Sequence, residues 1–327
     1  MLRSAIMKTP TALFRFLFIA GICATGLQAA AIKHEFVALD EGLANLLHID
    51  ENAPAKNWLV PVGAPHARDL QLIGGNRLLV GHETGYAEFD LASGRKVAEV
   101  TSFSGVASAR RLQNGHTLLV GVNLGGATGV VVLEIDAAGA VVNKIVYPGN
   151  YVRLMRQTAK GTFLLMTDTT IREGDATGAI VWEAKVDGFR HAWKAVRLPG
   201  GNTLASAGYG GFMAEIDPAG KIVRKFGGKE ETPAAIMAGF YATFQLMSNG
   251  DVVVANWQGH GPGHGASGVQ LLEFDKSGAI VWQWSEAAKI SSLQGVLVLD
   301  GLDTAVLHDE RNGIMEPLVS GAGAVKK

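Results

Sequence analysis

Residues 193–226 read WKAVRLPGGNTLASAGYGGFMAEIDPAGKIVRKF. The stretch parses as a strand, a turn at Gly200-Gly201-Asn202, a second strand, a third ending at Asp217, a turn closing at Gly220, and a fourth strand. Glycine and Asn-Gly pairs at the turns, with apolar residues alternating between them, are the marks of short antiparallel strands.

The same phrase recurs on both sides. The first turn returns as Gly74-Gly75-Asn76, Asn114-Gly115-His116, Lys160-Gly161-Thr162 and Asn249-Gly250-Asp251. The second returns at Asp90 to Gly94, Asp136 to Gly139, Asp175 to Gly178 and Asp275 to Gly278. The first-turn glycines 75, 115, 161, 201 and 250 step by 40, 46, 40 and 49 residues. Four strands per 40 to 50 residues is the repeat of a β-propeller. An all-β propeller of four-stranded blades is therefore expected. Five complete units run from Arg68, Ala107, Tyr151, Trp193 and Tyr241 onward.

The two ends complement each other. Phe36–Leu39, Asn45–Ile49 and Trp58–Val62 match strands two, three and four of a unit, and Leu293–Leu299 reads as a lone first strand. Joining them makes a sixth blade and closes the ring, which removes exposed sheet edges. Six blades are preferred. Seven stays open, with Thr304–Leu307 and the chain from Ile314 as part of another.

The 327 residues are 48% hydrophobic and 18% charged, with 42 glycines, so a folded single propeller domain is expected over residues 32–318. Residues 1–31 read as a signal peptide: Arg3, Lys8 and Arg15 precede the apolar run Phe16–Ile22, and Ala29-Ala30-Ala31 supplies a small-residue cleavage site. The run is too short for a membrane span, so none is expected after cleavage. Ile22 before Cys23 argues against a lipoprotein signal. Cys23 is the only cysteine, leaving the mature chain without disulfide or thiolate. A periplasmic or secreted monomer with a short tail over 319–327 is expected. Without residues 1–31 the chain has 26 basic and 30 acidic residues, which excludes the basic footprint of a nucleic-acid binder.

Asp175-Ala176-Thr177-Gly178 followed by Ile180-Val181-Trp182, and Asp275-Lys276-Ser277-Gly278 followed by Ile280-Val281-Trp282, resemble the repeat of quinoprotein-type propellers. Leu198–Leu204 followed by Glu215–Gly220 is similar to the repeats of arylsulfotransferase-like secreted propellers. The resemblance covers nearly the whole mature chain and implies the fold. The superfamily includes dehydrogenases, sulfotransferases and assembly scaffolds. Its pyrroloquinoline-quinone dehydrogenases are much larger, eight-bladed, and place vicinal cysteines on the quinone. This chain has neither feature, so that cofactor is not expected and no other is identified. Trp182 and Trp282 are expected to pack between blades.

Antiparallel strands put the loop entering strand one and the loop leaving strand two on one face, around the channel mouth. Ahead of strand one fall His66, Arg68, Arg110, Tyr151, Arg153, His191, Trp193, Lys194 and Tyr241. After strand two fall Asp40, Glu41, His82, Glu83, Asn123, Asp168, Tyr209 and the loop Asn256–Gly265, which holds Trp257, His260 and His264. His66 and His191 are candidate general bases or nucleophiles, and Arg68, Arg110 and Arg153 candidate anion clamps. His82, Trp193, Tyr209, Tyr241, Asn256, Trp257, His260 and His264 complete the candidate ligand-binding set. His260 and His264 have metal-ligand spacing, but a glycine-rich loop gives it no fixed geometry, and no metal site is assigned. No phosphate loop and no Gly-x-Ser-x-Gly elbow is present. Three functions remain open: binding of a small polar or anionic molecule, enzymatic transfer, elimination or hydrolysis at the same mouth, or a scaffold for an envelope protein.

Overall fold

A computed structural model describes residue 1 and residues 31–318. The expected signal segment (all but its two end residues) and the expected tail at 319–327 lie outside the described residues.

The chain from Ile32 forms six four-stranded antiparallel sheets in a ring. Blade 1 comprises Asp69–Gly74, Arg77–His82, Gly85–Asp90 and Lys96–Val100. Blade 2 comprises Val106–Arg111, Thr117–Val122, Val130–Ile135 and Val141–Tyr147. Blade 3 comprises Met155–Gln157, Phe163–Thr167, Thr170–Gly174 and Ile180–Lys185. Blade 4 comprises Ala195–Arg197, Thr203–Ser206, Met213–Ile216 and Ile222–Phe226. Blade 5 comprises Tyr241–Leu246, Val252–Asn256, Leu271–Phe274 and Ile280–Trp284. Blade 6 joins the two ends: Leu293–Val298 pairs with Glu35–Asp40, which pairs with Asn45–Asp50, then Trp58–Pro61. No helix among the described residues is long and apolar enough to cross a membrane.

Burial follows strand position. Second strands lie between neighbouring blades and are apolar on both faces, as in Leu78-Leu79-Val80 and Val252–Ala255. Outermost strands alternate half-buried with exposed residues, as in Ile180–Lys185. The core is divided accordingly into clusters that join adjacent blades; Leu79, Val106, Leu119 and Leu133 join blades 1 and 2, for example.

The Asp-x-x-Gly turns have a direct cause. Asp175 Oδ1 accepts the Thr177 and Ala179 amides (2.9 and 3.1 Å), and Asp275 Oδ1 those of Ser277 and Ala279 (2.8 and 3.0 Å). A bulge beside each turn, at Glu173/Gly174 and Glu273/Phe274, twists the outer hairpin. Trp182 donates to the Pro218 carbonyl of the next blade (2.8 Å), Trp282 to Glu51 (3.0 Å) and Trp58 to the Leu91 carbonyl (3.0 Å).

The segment considered for a seventh blade does something else. From Asp300 it crosses the face bearing the glycine turns, taking amides of Gly75, Asn76 and Ala159 on its carbonyls. A two-residue ladder pairs His308–Asp309 with Glu316–Pro317. Asp309 and Glu310 enter the central channel. There Arg110 donates to Asp309 (2.6 Å), Arg156 to Glu310 (2.6 Å) and to Asp69 (2.9 Å), and Lys194 to Glu310 (2.5 Å). All six groups are buried, and the three cations match the three carboxylates. Burial pushes the Glu310 carboxyl up, but Lys194, Arg156 and Arg110 outweigh it and hold the group down to about 2. The ring thus has an open mouth and a base closed by charge.

Candidate functional site

A cleft of about 140 Å³ opens on the mouth face, lined in part by His66, Arg68, Arg153, His191, Trp193 and Tyr209. Glu41, Phe240, Trp257, His260 and Gln294 complete it. Every blade-to-blade loop that reaches the channel at this face contributes from before a first strand or after a second, because those ends of the inner strands converge on the axis.

The cleft has two unlike sides. On one stand Arg68 and Arg153. Burial lowers Arg68 to about 10, and the neighbouring Arg153 guanidinium adds to the shift. Arg153 lies over the rings of Tyr151 (4.5 Å) and Trp193 (5.3 Å). The acids at the mouth are taken: Glu41 meets His260 Nδ1 at 2.9 Å and accepts the Trp257 indole N–H at 3.3 Å, and Glu83 meets His66 at 3.5 Å. Among the described residues neither arginine at the cleft has an ion-pair partner. The Arg153 Nε–H and the Trp193 indole N–H are buried donors with no acceptor.

The other side is aromatic. Phe240 packs against Trp193 (5.5 Å between centroids), Tyr209 (4.7 Å) and Trp257 (5.1 Å), and Trp257 against His260 (4.6 Å). Edge-to-face contacts of this kind hold the rings without filling the cleft.

The local backbone is unusual at the same place. His66 (φ 51°), His191 (φ 52°) and Asp168 (φ 61°) occupy the left-handed region. Such residues cost on the order of 1 kcal/mol or more each and collect where side-chain placement matters. Asp168 Oδ1 accepts the His191 amide (2.7 Å), and His191 Nδ1 lies 2.9 Å from the Tyr151 hydroxyl. Burial pushes the Tyr151 phenol up to about 12, so it stays protonated at neutral pH.

Of the residues singled out from sequence, Glu41, His66, His191, Arg68, Arg153, Trp193, Tyr209, Trp257 and His260 line the cleft. The others lie elsewhere. Arg110 and Lys194 point down the channel to Asp309 and Glu310. Tyr241 is fully buried and donates to the Gly227 carbonyl (2.7 Å). Asn256 is equally buried, and its amide donates to the carbonyls of Ile236 and Val269, closing the loop around it. His82 is buried beside Thr84, and burial lowers its pKa. His264 lies 3.2 Å from the His260 carbonyl, under its own loop. His264 and Asn256 are taken up by the folding of their own loop, and the misplacements next to first strands have another cause. Neighbouring residues on a strand face opposite ways, so Trp193 reaches the cleft and Lys194 the channel, and Phe240 rather than Tyr241 lines the site. An aromatic directly before strand one was the available signal for Phe240. Gln294, inside a strand, had none; its amide donates to the Ala67 carbonyl (2.6 Å).

No family model and no curated protein matches the chain. Solved structures do. A protein of unknown function from Bacteroides caccae aligns with a TM-score of 0.64 at 19% identity, over 82% of this chain and 99% of that one. A streptogramin B lyase aligns with a TM-score of 0.51 at 11% identity, over 81% and 93%. The WD40 β-propeller domain of Doa1 aligns with a TM-score of 0.51 at 14% identity, over 77% and 79%. At these identities the likeness is one of fold, and the fold is a six-bladed β-propeller.

Proposed function

We propose that the protein is an exported propeller whose mouth binds a small molecule carrying an anionic group on a planar or apolar body. The observation that carries this reading is the coincidence, in one cleft, of two arginines without ion-pair partners and two buried N–H donors without acceptors. A buried donor left unmade costs about 1–3 kcal/mol, which an acceptor on a ligand would recover. A carboxylate or sulfate supplies such acceptors and the matching charge. The aromatic wall accounts for the rest of the ligand. The apolar run before Cys23 supports export, and the Asp-x-x-Gly and Ile-Val-Trp repeats support kinship with quinoprotein and arylsulfotransferase-like propellers.

The test is a thermal-shift and calorimetric screen of carboxylates and sulfates on wild type and Arg153→Ala. A ligand should raise the melting temperature, and the variant should bind it about 10- to 100-fold more weakly, as expected for loss of a charged hydrogen bond. No response to any anion, or equal binding by the variant, defeats the reading. A partner protein that binds both forms alike would instead favour a scaffold.

One arrangement favours catalysis at the same place. His191 on the cleft wall and Tyr151 just behind it form an acid–base couple: the imidazole Nδ1 lies 2.9 Å from the phenol, Asp168 holds the His191 backbone amide, and burial keeps the phenol protonated. A bound carboxylate neutralised by arginine is activated for proton loss at its adjacent carbon, and a histidine at hand is a suitable base. Turnover that vanishes in His191→Ala and Tyr151→Phe while ligand binding persists would establish this reading; retained turnover would end it.

A further inference from the structure

His191 borders two cavities. Besides the cleft it lines a second hollow of about 390 Å³ on blade 3, with Asn150, Tyr151, Asp168 and Thr169. The second hollow differs in chemistry from the first. Its arginine, Arg172, is already committed, to Glu183 (2.5 Å) and to the Pro148 carbonyl (2.9 Å). Its remaining lining is hydroxyl, amide, carboxylate and glycine, with the Tyr151 phenol and the His191 imidazole on the side shared with the cleft. Among the described residues the side chains of Asn150 and Thr169 have no hydrogen-bond partner, and Asp168 uses one carboxylate oxygen on the His191 amide. With a carboxylate and no uncommitted arginine or lysine there, no further anionic group is called for, and with no aliphatic wall, no alkyl chain is. Neutral donors and acceptors over an open floor suit a polyhydroxyl group.

We propose that the two cavities hold one ligand, an acidic saccharide of at least two rings. The inference rests on the anion reading above. A uronate ring sits in the cleft, with its carboxylate on Arg68 and Arg153 and its apolar face on the aromatic wall. The next sugar passes His191 and lies over Asn150, Asp168 and Thr169. The glycosidic link then falls beside the Tyr151–His191 couple.

Calorimetry with benzoate, galacturonate and galacturonosyl-rhamnose, whose second ring is neutral, separates the possibilities. The disaccharide should bind wild type about tenfold more tightly than galacturonate. The Asn150→Ala/Thr169→Val variant should lose that advantage and keep its affinity for benzoate, which also shows that it is folded. If benzoate and galacturonate bind but the second ring adds nothing, or if its advantage survives in the variant, the saccharide inference is overturned and the anion site stands. If none of the three acids binds, the anion reading falls and takes this inference with it.

Discussion

At the residue scale, the mouth histidines show how the fold spends stability on placement. His66 is exposed, and its contact with Glu83 is long, so its side chain contributes little to folding, as exposed ion pairs contribute under about 1 kcal/mol. Its backbone is nevertheless held at φ 51°. Glycine is at ease there and alanine is not. His66→Gly should therefore be more stable than His66→Ala by about 1 kcal/mol in denaturant midpoint analysis. Equal stabilities would mean that the left-handed backbone carries no strain. The His residues themselves were legible in the sequence as candidates because strand order puts them at one face. Which of them reach the cleft was not, since that depends on how each loop folds over the mouth, as His264 turns back on the His260 carbonyl while His260 faces the cleft.

At the element scale, the blade is stabilised by what it hands to its neighbour. An aromatic on the outer strand covers a glycine in or just before the turn of the following blade: a Cβ on Gly94 would lie 2.7 Å from the Trp58 ring, and one on Gly174, at the end of its strand, 2.1 Å from Tyr147. These glycines answer to packing across blades as much as to the turn. Inner strands are tied by glutamine. Gln71 accepts the Arg111 amide (2.6 Å) and Gln245 accepts the Val298 amide (2.9 Å), each from the adjacent blade. These glutamines gave no sign in the sequence, because their partners are backbone groups about 40 to 53 residues away. The tryptophans did, by recurring at one point of the repeat. Trp282 is 7% exposed and packs edge-on to His34 and Phe36, whereas Trp182 remains half-exposed. Trp282→Ala should cost about 3–5 kcal/mol in chemical unfolding, and Trp182→Ala clearly less. The reverse order would contradict the assignment of these contacts.

At the scale of the whole molecule, closure of the ring and sealing of its base are electrostatic as well as strand-borne. Glu310→Ala would leave Arg156 and Lys194 buried without their shared carboxylate. Removing one partner of a buried pair typically costs about 3–5 kcal/mol, and the loss should appear in the unfolding midpoint. A loss under 1 kcal/mol would show that water reaches the channel. The clasp at the ends is His34, between Glu273 (3.0 Å) and Asp300 (2.5 Å). Burial lowers its pKa, but the hydrogen bonds to Asp300 and Glu273 prevail and raise it to about 9. A raised pKa means that the protonated form is bound more tightly in the folded state. The clasp's contribution is therefore complete below the ordinary value near 6.5 and is lost as pH climbs through about 9. The stability gap between wild type and His34→Gln should narrow between pH 7 and pH 10. A constant gap would refute the charged clasp.

Much of this architecture was written locally. Strand period, Asp-x-x-Gly turns and the incomplete units at the two ends point to a closed ring with six blades preferred over seven, because each signal lies within a few residues of the backbone it bends. The channel plug and the cleft were beyond such reading. Asp309 meets Arg110 across 199 residues and Glu310 meets Arg156 across 154, and nothing in the intervening sequence encodes those distances. Side chains that look alike on paper, Arg110 beside Arg153 or Lys194 beside Trp193, are sorted to the buried base or the open mouth by the direction of one strand residue. That sorting exists only once six sheets share an axis.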